Sequence, residues 1–159
     1  MGNRSILPHF QPENNPAQNP FGSEIALFRT SEGGMARMAV CWDLPQMHRE
    51  TGRMSGQKGH FWDTHYRDIQ GRDILNTDEP IRSVRWKKPP LPPTVQPGGH
   101  GGSHGHLGHE FVMSILENRK PYVDIALSLN MTVAGIVAHQ SALKDGELLK
   151  IPQYVFPLI

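Results

Sequence analysis

The stretch that most constrains this chain runs from Pro97 to Pro152, PGGHGGSHGHLGHEFVMSILENRKPYVDIALSLNMTVAGIVAHQSALKDGELLKIP. It divides into a glycine and histidine loop, a first helix, a proline turn, a longer helix and an exit strand. The loop places His100, His104, His106 and His109 among Gly98, Gly99, Gly101, Gly102 and Gly105. Glycine lets a backbone turn sharply and approach another surface closely. A histidine cluster on such a loop is chemically suited to binding a metal, moving protons or touching a polar ligand.

The spacing predicts a first helix over about 106–119, because Leu107, Phe111, Val112, Ile115 and Leu116 fall on one stripe. Pro121 stops it, since proline disfavours helical geometry in the preceding Lys120. Asp124 is a suitable N-cap for a second helix over about 124–145. That helix is apolar on more than one face through Ile125, Ala126, Leu129, Val133, Ile136, Val137, Ala138 and Ala142. Such breadth predicts a helix covered on several sides. Asp145-Gly146 ends it, with Gly146 in the left-handed position past the helix.

Upstream, residues 1–22 read as an extended, flexible connection rich in proline and asparagine, with His9 at the surface. From residue 23 to 159 a single α/β domain is expected. Ile25 to Phe28 and Met35 to Trp42 flank a Gly33-Gly34 turn and read as a hairpin. A third strand is expected over Glu50 to Ser55, turning through Gly56-Gln57-Lys58-Gly59 into His60-Phe61-Trp62. Residues 63–85 read mostly as loop, with a short strand at Ile81 to Trp86. Lys87 to Pro97 is a proline-rich strap that delivers the chain to the histidine loop. The expected fold class is α+β: an open, mostly antiparallel sheet from strands at about 24–62, covered by the two C-terminal helices.

Composition narrows the function classes. A formal charge of +1 gives no argument for a nucleic-acid or membrane partner. The single Cys41 allows no internal disulfide and fits a reducing compartment. No early apolar run has the pattern of a signal peptide, so a cytoplasmic location is expected.

The order HGGSH, EFV, RKPYVD, GIVAHQSAL and GELLKIP resembles the C-terminal end of the Gfo/Idh/MocA oxidoreductases. The Gly56-Gln57-Lys58-Gly59 turn is similar to a Gly-x-Lys-Gly turn that follows sheet strands in the same family. The resemblance spans roughly Asn19 to Pro152 and implies the substrate-side and assembly half of such an enzyme. Members bind NAD(P) on an N-terminal Rossmann domain, through a glycine-rich turn between a strand and a helix. This sequence has no such turn, no Glu-Lys-Pro motif for the family's catalytic lysine, and no Asp-x-x-x-His pair; Asp63-Thr64-His65 has a different spacing. The implied cofactor, NAD(P), therefore belongs to a Rossmann domain outside this chain, and no catalytic or cofactor-binding residue is assigned within it.

Three readings of the histidine loop stay open. His100 and His104 would reach one metal ion if locally helical, with His106 and His109 as further ligands, although the glycines make an unfixed scaffold. The resemblance instead implies that His100, Ser103 and His104 present N–H and O–H groups to sugar hydroxyls. In the third reading these histidines cap and pack a helix start, which suits His106 and His109. No metal site is assigned. Elsewhere, His139 reads as a hydrogen-bonded core residue. Trp42, Phe61 and Trp62 read as packing, and Lys58 as solvated. Asn130-Met131-Thr132 fits the glycosylation pattern, but a helical position argues against its use.

Two functions follow. One is a substrate-side and oligomerisation domain of an NAD(P)-dependent oxidoreductase, acting on a sugar-like substrate beside a separate Rossmann-domain chain. The other is a non-catalytic binding or assembly module that keeps the family's sheet. Both imply a homo-oligomer.

Overall fold

The computed structural model describes residues 1–45, 51–62, 65–75 and 90–155. They fall in two compact units, one of Met1–Gln46 with Ser114–Ile159 and one of Met47–Met113. The architecture is α+β, with open antiparallel sheets followed by two C-terminal helices.

The first unit holds a three-stranded sheet of β1 (Gly2–Arg4), β2 (Phe21–Arg29) and β3 (Met35–Cys41), in that order. The hairpin expected from the Gly33-Gly34 turn is present, with β2 and β3 paired from Ser23↔Cys41 to Arg29↔Met35. Gly33 supplies the positive φ of +81° that the turn requires. Thr30 closes the turn by accepting from the Gly34 N–H through Oγ1 at 2.9 Å. The register places Glu24, Ala26 and Phe28 opposite Val40, Met38 and Ala36 on one face. Ile25 and Leu27 share the other face with Ala39, Arg37 and Met35.

Residues 1–22 carry more structure than an extended connection. Gly2 and Asn3 pair with β2, and short 3-10 turns follow at Pro8–Phe10 and Pro12–Asn14. Each of those turns has proline at its start, where the missing N–H costs no hydrogen bond. The Asn15 amide donates to the carbonyls of Gln11 and Asn19, and its oxygen accepts from the Asn19 N–H. The asparagines thus act as local backbone partners.

The second unit contains a separate meander of β4 (Arg53–Gly56), β5 (Gly59–Trp62), β6 (His65–Asp68) and β7 (Asp73–Leu75). The strands expected at about 24–62 therefore divide between two sheets. The reason is local pairing: a two-residue turn joins β4 to β5 with Gly56 opposite Gly59, and each following strand pairs with its predecessor. Strands β6 and β7 lie where the sequence reads as loop. Their turn is built by Asp68, whose Oδ1 accepts from the Gln70 and Arg72 N–H groups at 2.9 Å. The strand expected at Ile81 to Trp86 lies outside the described residues.

Helix α1 (Gly99–Leu116) and helix α2 (Ile125–Ala142) follow. Asp124 caps α2 as its sequence position predicts, accepting from the Leu127 N–H at 2.8 Å and from Lys120 Nζ at 2.6 Å. The Lys120 hydrogen bond, with the Leu127 N–H, holds the Asp124 carboxyl below the ordinary carboxylate range. A depressed folded-state pKa stabilises the fold above the unfolded value, and that contribution is lost as pH falls through the folded value. Asp124→Ala should lower Tm by a few degrees at neutral pH, and the deficit should shrink on acidification below the ordinary aspartate range. Thermal melts across that window check both parts.

Past α2, Asp145 and Gly146 take φ of +54° and +88°. The Gly146 N–H donates to the Ser141 carbonyl at 2.8 Å, closing the helix end. The expected exit strand forms no ladder. Instead Asn130 clasps the segment, its amide donating to the Tyr154 carbonyl at 2.9 Å and accepting from the Tyr154 N–H at 2.8 Å. That occupancy also removes Asn130 from the role of an exposed glycan acceptor.

The expectation that α2 is covered on several sides is corrected. Among the described residues, the only buried hydrophobic side chains are Ala126, Val137 and Ala142, while Ile125 on the same helix is 60% exposed. Strand β2 meets α2 through Glu24 and His139, Val133 and Ala138 are half-buried, and Ile125, Ile136 and Met131 are exposed.

Candidate functional site around the glycine and histidine segment

The segment read as a loop is the beginning of α1. The helix spans from Gly99 rather than from near 106, with a first turn made irregular by positive φ at His100 and Gly102, so all four histidines fall within its range. Glycine is costly in a helix, by roughly 1 kcal/mol relative to alanine, and the sequence therefore argues for a later start. The strap overrides that preference. The Gly105 N–H donates to the Pro97 carbonyl at 2.7 Å, and a Cβ at Gly105 would collide with the Gln96 carbonyl oxygen. Only glycine permits this approach. Gly105→Ala should cost about 1–3 kcal/mol through displaced backbone. The loss is checked by denaturant unfolding.

His100 has a φ of +51°, in the left-handed region, which histidine, like asparagine and aspartate, enters more often than most residues with a side chain. It lies between Gly98 and Gly102, with φ of +72° and +90°. The turn brings the His100 and His104 rings together, with centroids 5.0 Å apart at 53°. His104 also lies over the glycines before it: a Cβ at Gly98 would be 3.0 Å from His104 Cβ, and one at Gly99 would be 3.1 Å from the ring.

Of the three candidate substrate residues, the structure thus joins His100 and His104, both exposed, with half-buried Ser103 between them on the same helix. His106 and His109 are half-buried further along α1. No group of three or more metal-ligating side chains converges among the described residues.

Two features were not assigned from sequence. In the second unit Trp62 stacks on His65 across the β5–β6 pair, with centroids 5.2 Å apart and planes 6° apart. His60, held by Ser55 Oγ at 2.6 Å, tilts against the same indole at 5.0 Å. Cross-strand position sets these contacts, and the pairing of β5 with β6 was the missing signal. Beside them Arg67 makes a two-pronged bond to Asp73, with Nε and Nη2 at 2.7 and 2.9 Å from its carboxylate oxygens. That pair holds the Asp73 carboxyl below its ordinary range.

In the first unit His139 is neither isolated nor deep in a core. Its Nδ1 lies 3.0 Å from Glu24 Oε1, and both side chains remain about a third exposed. Phe21 meets the imidazole edge-on at 6.0 Å. A cleft of about 1160 Å3 in this unit is lined by Ile25, Leu27, Phe28, Val137, Leu149 and Ile151 among others.

Comparison of the chain with protein-family models, with curated proteins and with solved structures gives no match. No helix among the described residues is long and apolar enough to cross a membrane.

Proposed function

We propose that this chain is the substrate-side and oligomerisation domain of an NAD(P)-dependent oxidoreductase acting on a sugar- or polyol-like substrate. The observation that carries the assembly part is the exposed apolar surface on ordered elements. Leu27 and Met35 are 81% and 91% exposed on one sheet face, and Phe111 on α1 is 64% exposed. An exposed apolar patch on a regular element suits contact with another chain or domain. The substrate part rests on the resemblance together with the His100–His104 pair, whose imidazoles offer both donors and acceptors to hydroxyl groups.

In this reading the nucleotide-binding fold and the hydride-transfer lysine come from a Rossmann-domain partner. The chain by itself should give no saturable heat with NAD(H) or NADP(H) in calorimetry at micromolar concentrations. A stoichiometric complex would overturn the assignment. Mixing the chain with a candidate Rossmann-domain partner should then produce a complex that oxidises a polyol with reduction of the nicotinamide. A second reading, a non-catalytic assembly module, rests on the same apolar exposure. It is favoured if the complex forms and the polyol is never oxidised.

A further inference from the structure

We propose that the cavity bounded by β2, β3 and α2 binds a neutral, largely apolar ring compound carrying one hydroxyl group, recognised by the Glu24–His139 pair. The site is independent of the histidine segment and of the oxidoreductase reading.

The cavity is a half-open cleft of about 210 Å3, with Met38, Val40 and Trp42 of its wall also exposed to solvent. For scale, an engineered cavity of about 150 Å3 with aliphatic and aromatic walls accommodates benzene. The space here therefore suits one ring with a substituent or two fused rings. Its wall includes Phe21, Phe28, Met38, Val40 and Trp42, a lining that favours apolar surface over a sugar's many hydroxyls.

Glu24 and His139 supply the polar part of the wall, together with Asn19 and Ser23. An ionised carboxylate only accepts hydrogen bonds, so with Glu24 ionised the 3.0 Å contact has the His139 Nδ1–H as its donor. In the Nδ1–H tautomer the lone pair sits on Nε2, which is then the ring nitrogen able to accept from a ligand. That atom accepts from a hydroxyl. Glu24 places a carboxylate beside the same space, which disfavours an anionic ligand and makes a neutral donor the matching chemistry.

The pair is also reachable. His139 and Glu24 both line the cavity, with side-chain exposures of 31% and 29%. Phe21, edge-on to the imidazole, fixes the ring's plane.

The test uses the full chain with 2-naphthol and its methyl ether, 2-methoxynaphthalene, at mildly alkaline pH. The two probes share the fused ring, and only the first can donate a hydrogen bond. Ligand fluorescence should show saturable 2-naphthol binding about tenfold or more tighter than the ether. His139→Phe, with its fold checked by circular dichroism, should lose that preference. Nitrogen NMR of the unsubstituted protein gives a measurement that needs no variant: the His139 Nε2 resonance should move with 2-naphthol and stay in place with the ether. Equal affinity for the two probes, no saturable binding, or an unmoved Nε2 resonance overturns the proposal.

Discussion

Light scattering of the isolated chain should report dimers or larger species rather than a 17.8 kDa monomer. The expectation comes from where the apolar side chains stand. Ile25, Leu27 and Met35 share one face of the β2–β3 hairpin by register, and all three are exposed. The outer edge of β3 has no strand beside it among the described residues. An open edge next to an apolar face invites a second chain. Leu27→Lys combined with Met35→Lys would force charges into such an interface without partners. Burying an unpaired ammonium costs several kcal/mol, so the dissociation constant should rise about a hundredfold or more. The double variant should sediment as a monomer with its strand content intact. A monodisperse monomer before substitution would remove the basis for the assembly part of the proposed function.

The helical end of the fold was legible because its signals are local. Asp124 caps α2, Pro121 separates the helices, and the left-handed Gly146 closes the second, each in the place its chemistry demands. The β2–β3 hairpin was legible for the same reason, since Gly33 and Gly34 mark its turn. What escaped depends on pairing at a distance or on turn chemistry given too little weight. Strand β1 is three residues long and exists through Glu24 and Ser23 opposite it. The β6–β7 turn did carry a signal, Asp68 with Gly71 three residues later, a favoured arrangement in tight turns. The early start of α1 depends on Gln96 and Pro97 pressing against Gly105, which no period in the helix itself records. The Glu24–His139 bond joins residues 115 apart in sequence, so His139 alone reads as an ordinary core histidine.

The second large effect belongs to His104. If the chain gains dehydrogenase activity on a polyol when joined by its Rossmann-domain partner, the hydride step rests on that partner's lysine. Changes at His104 then act through substrate placement. His104→Ala removes one positioned hydrogen-bonding group, a loss of about 1–3 kcal/mol. The expected fall in kcat/KM is about ten- to a hundredfold, with nicotinamide affinity unchanged. Gly99→Ala should reproduce part of that fall while leaving the imidazole in place, because its new Cβ would stand 3.1 Å from the His104 ring and push it aside. His109→Ala, further along α1, should lower Tm with little specific kinetic effect. A metal role predicts a different set of results: a chelator would abolish activity, and His100→Ala and His104→Ala would each release bound zinc. If His104→Ala changes neither kcat/KM nor metal content, the His100–His104 contact serves only to start the helix. The substrate assignment of His100, Ser103 and His104 would then be wrong.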